Sequence, residues 1–242
     1  MRDKAPETKH TGRFWRLDMN DFSDISFEDN SSARAPFVFV LDCSNSMTQK
    51  FDDEPQAPLE SLNAGLDVLV SEIYKDKLAR ARADLCFVPY GSEVMAVTPF
   101  STVDSIALPE LSPGGMTSTG TALNAALDAL EAREKEYNDN GIQKYVSQMF
   151  LISDGLSTDD LSRASQRIKD LESKKRLAFF PIGVVGADLE ELSSIGTRPA
   201  LPLKGLDFAS LFEWVSRSAV SVSASQPGDR VALPSPAGWA EI

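Results

Sequence analysis

The chain of 242 residues holds one histidine, two cysteines and fewer basic than acidic side chains. The one histidine, His10, sits in the aperiodic polar stretch MRDKAPETKHTGRF. A Ser-His-Asp triad, a Cys-His dyad and a histidine-rich zinc site are therefore all disfavoured by inventory. Two cysteines cannot form a disulfide framework. Cys43 and Cys86 each stand in an apolar run, FVFVLDC and ADLCFVPY, where a thiol acts as a small buried hydrophobe. Lys and Arg number 24 against 36 Asp and Glu, a formal charge of -12. Such a chain is repelled by polyphosphate backbones and anionic lipid, so nucleic acid and membrane surfaces are not expected partners. The longest uninterrupted apolar run is Phe37 to Leu41, too short for a membrane-spanning helix or a signal-peptide core. The expected location is the cytoplasm.

What is present is the composition of an ordinary folded protein. Hydrophobic residues make up 42% and charged residues 25%, with 14 Gly and 14 Pro, enough for a sizeable core and too little Gly and Pro for a low-complexity chain. Residues 1–34 are polar and acidic with isolated Phe14, Trp15, Phe22 and Phe27, and read as an extension that lays aromatic anchors on the main body. From Pro36 the run FVFVLD has the pattern of a strand buried on both faces of a parallel sheet. After a polar loop, Leu62, Leu66, Leu69 and Ile73 recur at helical spacing and predict a helix that covers the sheet. ADLCFVPYG and EVMAVTPF are two short strand-like runs joined at Tyr90-Gly91-Ser92, a hairpin or an edge excursion.

A loop rich in Pro and Gly, LPELSPGGMTSTG, leads to a helix marked by Leu123, Leu127 and Leu130, whose charged continuation EAREKEY reads as a solvated face. VSQMFLISDG predicts a strand. Leu161, Ile168 and Leu171 stripe the helix after it, with a capping box over Ser157 to Asp160. LAFFPIGVV is a further buried strand. A short helix near 188–194, a short run ALPLKG and a last helix with Phe208, Leu211, Phe212 and Val215 on one face complete a body over 35–224. This alternation is that of a doubly wound, Rossmann-like α/β fold, a mostly parallel sheet with helices on both faces. Val231, Leu233, Trp239 and Ile242 give the tail, 225–242, something to bury against that body.

In this fold class, function lies in the loops beyond the carboxyl ends of the strands, at the point where strand order reverses. Three such loops carry Asp42-Cys43-Ser44-Asn45-Ser46, Thr117-Ser118-Thr119-Gly120 and Asp154-Gly155. Together they offer two carboxylates and several hydroxyls, the all-oxygen set that suits a hard cation such as Mg²⁺ or Mn²⁺. Neutral hydroxyls leave such a cation under-neutralised when the aspartates act mainly through water or hydrogen bonds. The cation then seeks another anion, and an Asp or Glu of a partner protein would supply one at the centre of an interface. Two other readings stand beside this one. The Ser and Asp residues could form a helix-capping loop. Alternatively, Asp42 could be the nucleophile of a metal-dependent phosphoryl-transfer enzyme, although Ser44 stands where that chemistry places a general acid.

Asp42-x-Ser44-x-Ser46 after an apolar strand, Thr117 in GGMTSTGTAL and Asp154 in FLISDG together resemble the metal-ion-dependent adhesion site of von Willebrand factor type A domains. The resemblance covers about residues 35 to 224. It implies a single domain of that type, with Ser44, Ser46 and Thr117 contacting the metal and Asp42 and Asp154 binding directly or through water. Asn45, Met116, Ser118 and Gly155 would then border a docked partner. Within the family, LNAGLDVLVSEI, SPGGMTSTGTALNAALDAL and LKGLDFASLFEWVSRSAVSVS look most like the compact bacterial members of the tellurium-resistance type. These are often encoded beside a serine/threonine kinase and a metal-dependent phosphatase in stress-response or defence gene sets. That resemblance implies a non-catalytic adaptor. The chain departs from the pattern at Asn45, where Gly is common, and in its N-terminal extension. The hydroxyls of Ser118, Thr119 and Thr121 are candidate phosphorylation sites, and Asp52, Asp53 and Glu54 form either a solvated loop or a repulsive element that tunes partner choice.

Overall fold

The computed structural model describes residues 32–51 and 54–241. His10, the four aromatic residues of the N-terminal extension, Asp52, Asp53 and Ile242 lie outside the described residues. Among the described residues five strands form one sheet: β1 (Ala35–Asp42), β2 (Ala83–Tyr90), β3 (Ser147–Ser153), β4 (Leu177–Gly183) and β5 (Leu201–Pro202). Their order is β2-β1-β3-β4-β5 and every pairing is parallel. The helices are α1 (Pro58–Lys75), α2 (Lys77–Arg82), α3 (Thr119–Asp139), α4 (Ser162–Ser173), α5 (Leu189–Ile195) and α6 (Phe208–Ser223). The chain leaves β1 toward β2 on one side and returns to β3 on the other, so the order reverses between β1 and β3. The loops after β1 and β3 flank that switch point, where a doubly wound sheet opens a crevice.

Because side chains alternate across a strand, each face of the sheet buries its own core. One core sets Phe37, Phe39, Phe87, Phe150 and Phe180 against Leu62, Leu66 and Leu69 of α1 and Phe208, Phe212 and Trp214 of α6. The other sets Val38, Val40, Met149 and Leu151 against Leu123, Leu127, Ile168 and Leu192 of α3, α4 and α5. In the first core, parallel register puts Phe87, Phe39, Phe150 and Phe180 side by side on four neighbouring strands, with ring centroids 5.1 to 5.2 Å apart. Trp214 meets Phe180 edge-on at 5.9 Å, and Trp239 of the tail lies 5.4 Å from Trp214. Trp239 is buried, the Trp214 indole N–H donates to the Pro234 carbonyl (2.7 Å), and Ala240 bridges Leu203 at the β5 edge.

Several local expectations need correction. The stretch 94–101 forms no regular strand. It returns antiparallel along the free edge of β2 through scattered bonds, such as Thr98 amide to Phe87 carbonyl and Ser101 amide to Leu85 carbonyl, so the edge excursion is realised and the second strand is not. The short helix α2 has no apolar period to announce it; the Asp76 carboxylate starts it by accepting from the Leu78 and Ala79 amides. EAREKEY is not a solvated face throughout. Glu134 is buried and accepts from Lys144 (2.6 Å), Arg176 and Ser147, while Arg133 and Tyr137 reach Asp84. Arg34 is buried and its carbonyl accepts from the Tyr145 amide, so residue 34 packs with the body rather than with an extension. Ser157 to Asp160 do not form a capping box on α4, whose first turn receives no side-chain cap from its N-cap residue.

Candidate metal centre

The first loop turns sharply because β1 ends on a carboxylate that can bond its own backbone. Asp42 Oδ1 accepts from the Ser44 amide (2.8 Å), and a 3-10 turn, Asn45–Thr48, follows with Met47 buried as its anchor. Asp42 Oδ2 accepts from the Ser153 hydroxyl at the end of β3 (2.6 Å). Both oxygens of a fully buried carboxylate are thus used, Oδ1 to fold the first loop on itself and Oδ2 to tie it to the end of β3. Asn45 does not occupy a position that needs glycine: Lys175 is the one non-glycine residue with positive φ among the described residues. The Asn45 amide donates instead to the Gly115 carbonyl (2.8 Å), and the Gly114 amide to the Cys43 carbonyl (2.7 Å), which stitches the first loop to the second. Glycine is required where that second loop crosses the end of β2. A Cβ on Gly91 would stand 2.2 Å from the Gly114 carbonyl oxygen.

These contacts bring the predicted oxygens together. Ser44 Oγ and Ser46 Oγ are 3.0 Å apart, and the Ser46 hydroxyl donates to Asp154 Oδ1 at 2.8 Å. Thr117 Oγ1 and Ser46 Oγ both face Gly155, 3.7 and 3.9 Å from where a Cβ would be. Adjacent ligands of an octahedron with bonds of about 2.1 Å lie about 3.0 Å apart, which is √2 times the bond length. The Ser44–Ser46 and Ser46–Asp154 separations are hydrogen-bond lengths close to that edge, so the donor set fits Mg²⁺ or Mn²⁺ in chemistry and a cation could replace these bonds without moving the oxygens far. Among the described residues no three His, Cys, Asp or Glu side chains stand together in an arrangement that could hold a metal. This candidate depends on hydroxyls, as the sequence pattern requires.

The electrostatics favour a cation. Burial raises the Asp42 carboxyl above its ordinary value despite hydrogen bonds from Ser153 and Ser44. Asp154 is pushed up to about 6, first by burial and then by the Asp42 charge, against the opposing Ser46 hydrogen bond. Cys43, also buried and next to Asp42, is pushed up to about 12, which leaves it a thiol and not a redox nucleophile at neutral pH. Of the residues expected to border a partner, Asn45 and Met116 are exposed, while Ser118 and Gly155 are half-buried. Exposed Leu156 extends that border, a position the sequence pattern did not single out. The Ser118 hydroxyl donates to the Ser92 carbonyl, Thr119 is buried against Tyr90, and the Thr121 hydroxyl donates to Asp159, so each of these three is committed within the fold.

The model of the von Willebrand factor type A domain matches residues 37–216. The chain is 27% identical over 171 residues to the human collagen alpha-1(XXI) chain, covering 70% of this chain and 16% of that protein. The pilus adhesin SpaC from Lactobacillus rhamnosus GG superposes with a TM-score of 0.62 at 12% identity over 79% of this chain and 32% of its own. Proximal thread matrix protein 1 from the mussel byssus, solved with a zinc-occupied MIDAS motif, superposes with a TM-score of 0.53 at 17% identity over 78% of this chain and 48% of its own. The chain therefore spans less than half the length of each of these proteins, and at such identities the two structures speak for the fold alone. With the family model matching most of the sequence and a five-stranded parallel sheet flanked by helices, the chain belongs to the von Willebrand factor type A domain family.

Proposed function

We propose that this protein is a non-catalytic, metal-dependent protein-binding adaptor. Ser44, Ser46 and Thr117 hold Mg²⁺, Asp42 and Asp154 orient ligands or waters, and an Asp or Glu of a partner completes the coordination. Domains of this family are often metal-dependent protein-interaction modules, and one structural neighbour carries zinc at such a motif. The observation that carries the reading is the oxygen-only cluster at the switch point, in which Ser44 Oγ lies 3.0 Å from Ser46 Oγ and the Ser46 hydroxyl is oriented by Asp154 Oδ1 at 2.8 Å. Hydroxyl ligands leave most of the metal's charge uncompensated, which makes a partner carboxylate a strong and geometrically fixed contact. Asn45, Met116, Ser118 and Gly155 border that contact.

The phosphoryl-transfer alternative is opposed by the state of Asp42. Its carboxylate is buried, both oxygens accept hydrogen bonds, and Ser44 occupies the place of a general acid. The cellular setting we propose is a bacterial cytoplasmic stress-response or defence system of the tellurium-resistance type, with a serine/threonine kinase or a metal-dependent phosphatase as the partner. Among the described residues no helix is long and apolar enough to cross a membrane.

The test is affinity capture from host extract by the wild-type chain and by Asp154→Ala, each in Mg²⁺ and in EDTA. A partner held only by the wild type in Mg²⁺, and released when its own acidic residue is changed to the amide, supports the adaptor. Equal capture in all four lanes removes the metal from the account.

A further inference from the structure

The expected capping box on α4 is absent: Asp160 alone accepts from the first amide of that helix, Ser162 (2.9 Å), and the residues before it do something else. From the third loop they reach back 38 or 39 positions to the start of α3. Asp159 Oδ1 accepts from the Gly120 amide (2.8 Å), and Oδ2 accepts from the Thr121 amide (2.8 Å) and hydroxyl (2.7 Å). Ser157 supports the carboxylate with a hydroxyl donated to Oδ1 (2.8 Å). One residue earlier, the Thr158 amide (2.8 Å) and hydroxyl (3.0 Å) both donate to the carbonyl of Thr117 itself. The approach leaves no slack: a Cβ on Gly120 would stand 2.2 Å from the Asp160 carbonyl oxygen. The Ser157 amide donates to Glu191 of α5 (2.7 Å), which fixes the far side of the same loop.

The proposed centre depends on two oxygens from different loops, Thr117 Oγ1 and the Asp154 carboxylate, with no covalent link between them shorter than the whole of α3 and β3. We infer that Thr158 and Asp159 are positioning residues for the metal: they clamp the Thr117 loop to the Asp154 loop so that both oxygens are already in place when the cation arrives. The inference rests on the metal-centre reading above. Its physical basis is that groups orienting the ligands of a metal set affinity almost as strongly as the ligands do, because a loose ligand must be ordered at the cost of binding free energy. Neither residue touches the metal: Thr158 acts through the Thr117 carbonyl, and Asp159 acts through the first turn of α3 that follows Thr117.

The experiment titrates the purified full chain with Mn²⁺ and follows loss of the free-ion EPR signal and the line shape of the bound ion. Wild type is compared with Asp159→Asn, Thr158→Val and Asp76→Ala. Asp159→Asn keeps the shape and one acceptor but loses the charge that caps α3. Asp76→Ala removes a comparable cap from α2, at the opposite end of the sheet, and controls for stability alone. The expected result is at least about a tenfold weaker Mn²⁺ affinity and an altered bound-ion spectrum for Asp159→Asn, a smaller loss for Thr158→Val, and wild-type affinity for Asp76→Ala. If Asp159→Asn does not fold, Thr121→Val deletes just the hydroxyl bond to Oδ2 and should weaken Mn²⁺ several-fold. Wild-type affinity and line shape in Asp159→Asn, or an equal affinity loss in Asp76→Ala, would overturn the inference while leaving the metal centre standing. A wild-type chain that takes up no Mn²⁺ overturns both.

Discussion

Without metal, the protein should be more stable in mild acid than at neutral pH, and Asp154 should account for the difference. Its carboxyl is pushed from an ordinary 3.8 to about 6 by burial and by the Asp42 charge. Between those values the native state holds a proton that the unfolded chain has released, so stability falls as pH rises through the window and levels off above it. Each pH unit is worth about 1.4 kcal/mol. The part of the window above pH 5 spans about one unit, so metal-free protein should lose about 1.4 kcal/mol between pH 5 and 7.5, and Asp42, raised by burial, adds in the same direction. In a domain of this size that is a fall of about 3 to 5 °C in Tm. Carboxylates held below their ordinary range, such as Glu134 and Asp159, titrate at lower pH and leave this window clear.

The assay is thermal unfolding in EDTA at pH 5 and 7.5 for wild type and Asp154→Asn, repeated in saturating Mg²⁺. The neutral amide should flatten the profile over this window. Mg²⁺ should restore the wild type at pH 7.5, because the cation supplies the compensation that the proton gave, and should do nothing for the variant. The burial argument is refuted by a wild-type Tm that is flat or lower at pH 5, or by an Asp154→Asn variant that keeps the wild-type slope.

Three further outcomes follow from the packing. Cys43 and Cys86 are buried with thiols pushed up to about 12, so neither should react with a thiol reagent at pH 8 until denaturant is added; native labelling of Cys43 would reopen a redox role. Glu134→Gln should lose about 2 kcal/mol in denaturant unfolding, because a buried carboxylate holding Lys144 and Arg176 loses its charge. Those ion pairs outweigh burial and hold Glu134 below its ordinary value, so its contribution is present at neutral pH and is lost as pH falls through the lowered native value. A wild-type midpoint at pH 7 would contradict the pairing. Trp239→Ala should lose about 3 kcal/mol by emptying the space beside Trp214, whereas Trp239→Phe should lose far less, since the buried indole N–H has no partner among the described residues. Mn²⁺ affinity should be unchanged in both.

The fold was legible where burial is total and local. FVFVLD, FLIS and LAFF read as strands because a strand covered on both faces has no polar alternation to confuse it, and the Leu62-Leu66-Leu69-Ile73 stripe marked α1. The oxygens of the candidate centre were legible because a hard cation needs hydroxyls and carboxylates at strand ends, and Asp42-x-Ser44-x-Ser46 supplies them within one turn. What escaped was decided by partners distant in sequence. Ser157 to Asp160 have the look of a local cap, yet α3 offers Asp159 three donors in tight geometry and wins it. Ser153 is one residue of a run that reads simply as strand, but its hydroxyl closes on Asp42 from a distance of 111 positions. Glu134 sits in a charge run that reads as solvent-facing until Lys144 and Arg176 arrive from later in the chain.

The central claim is that a divalent cation sits among the oxygens of Asp42, Ser44, Ser46, Thr117 and Asp154. Crystals grown in Mn²⁺ and measured at the manganese absorption edge locate that ion directly. One strong anomalous peak is expected at the switch point, about 2.1 Å from Ser44 Oγ and Ser46 Oγ and within reach of Thr117 Oγ1 and Asp154, directly or through water. A peak elsewhere on the chain, or none at saturating Mn²⁺, would contradict the claim.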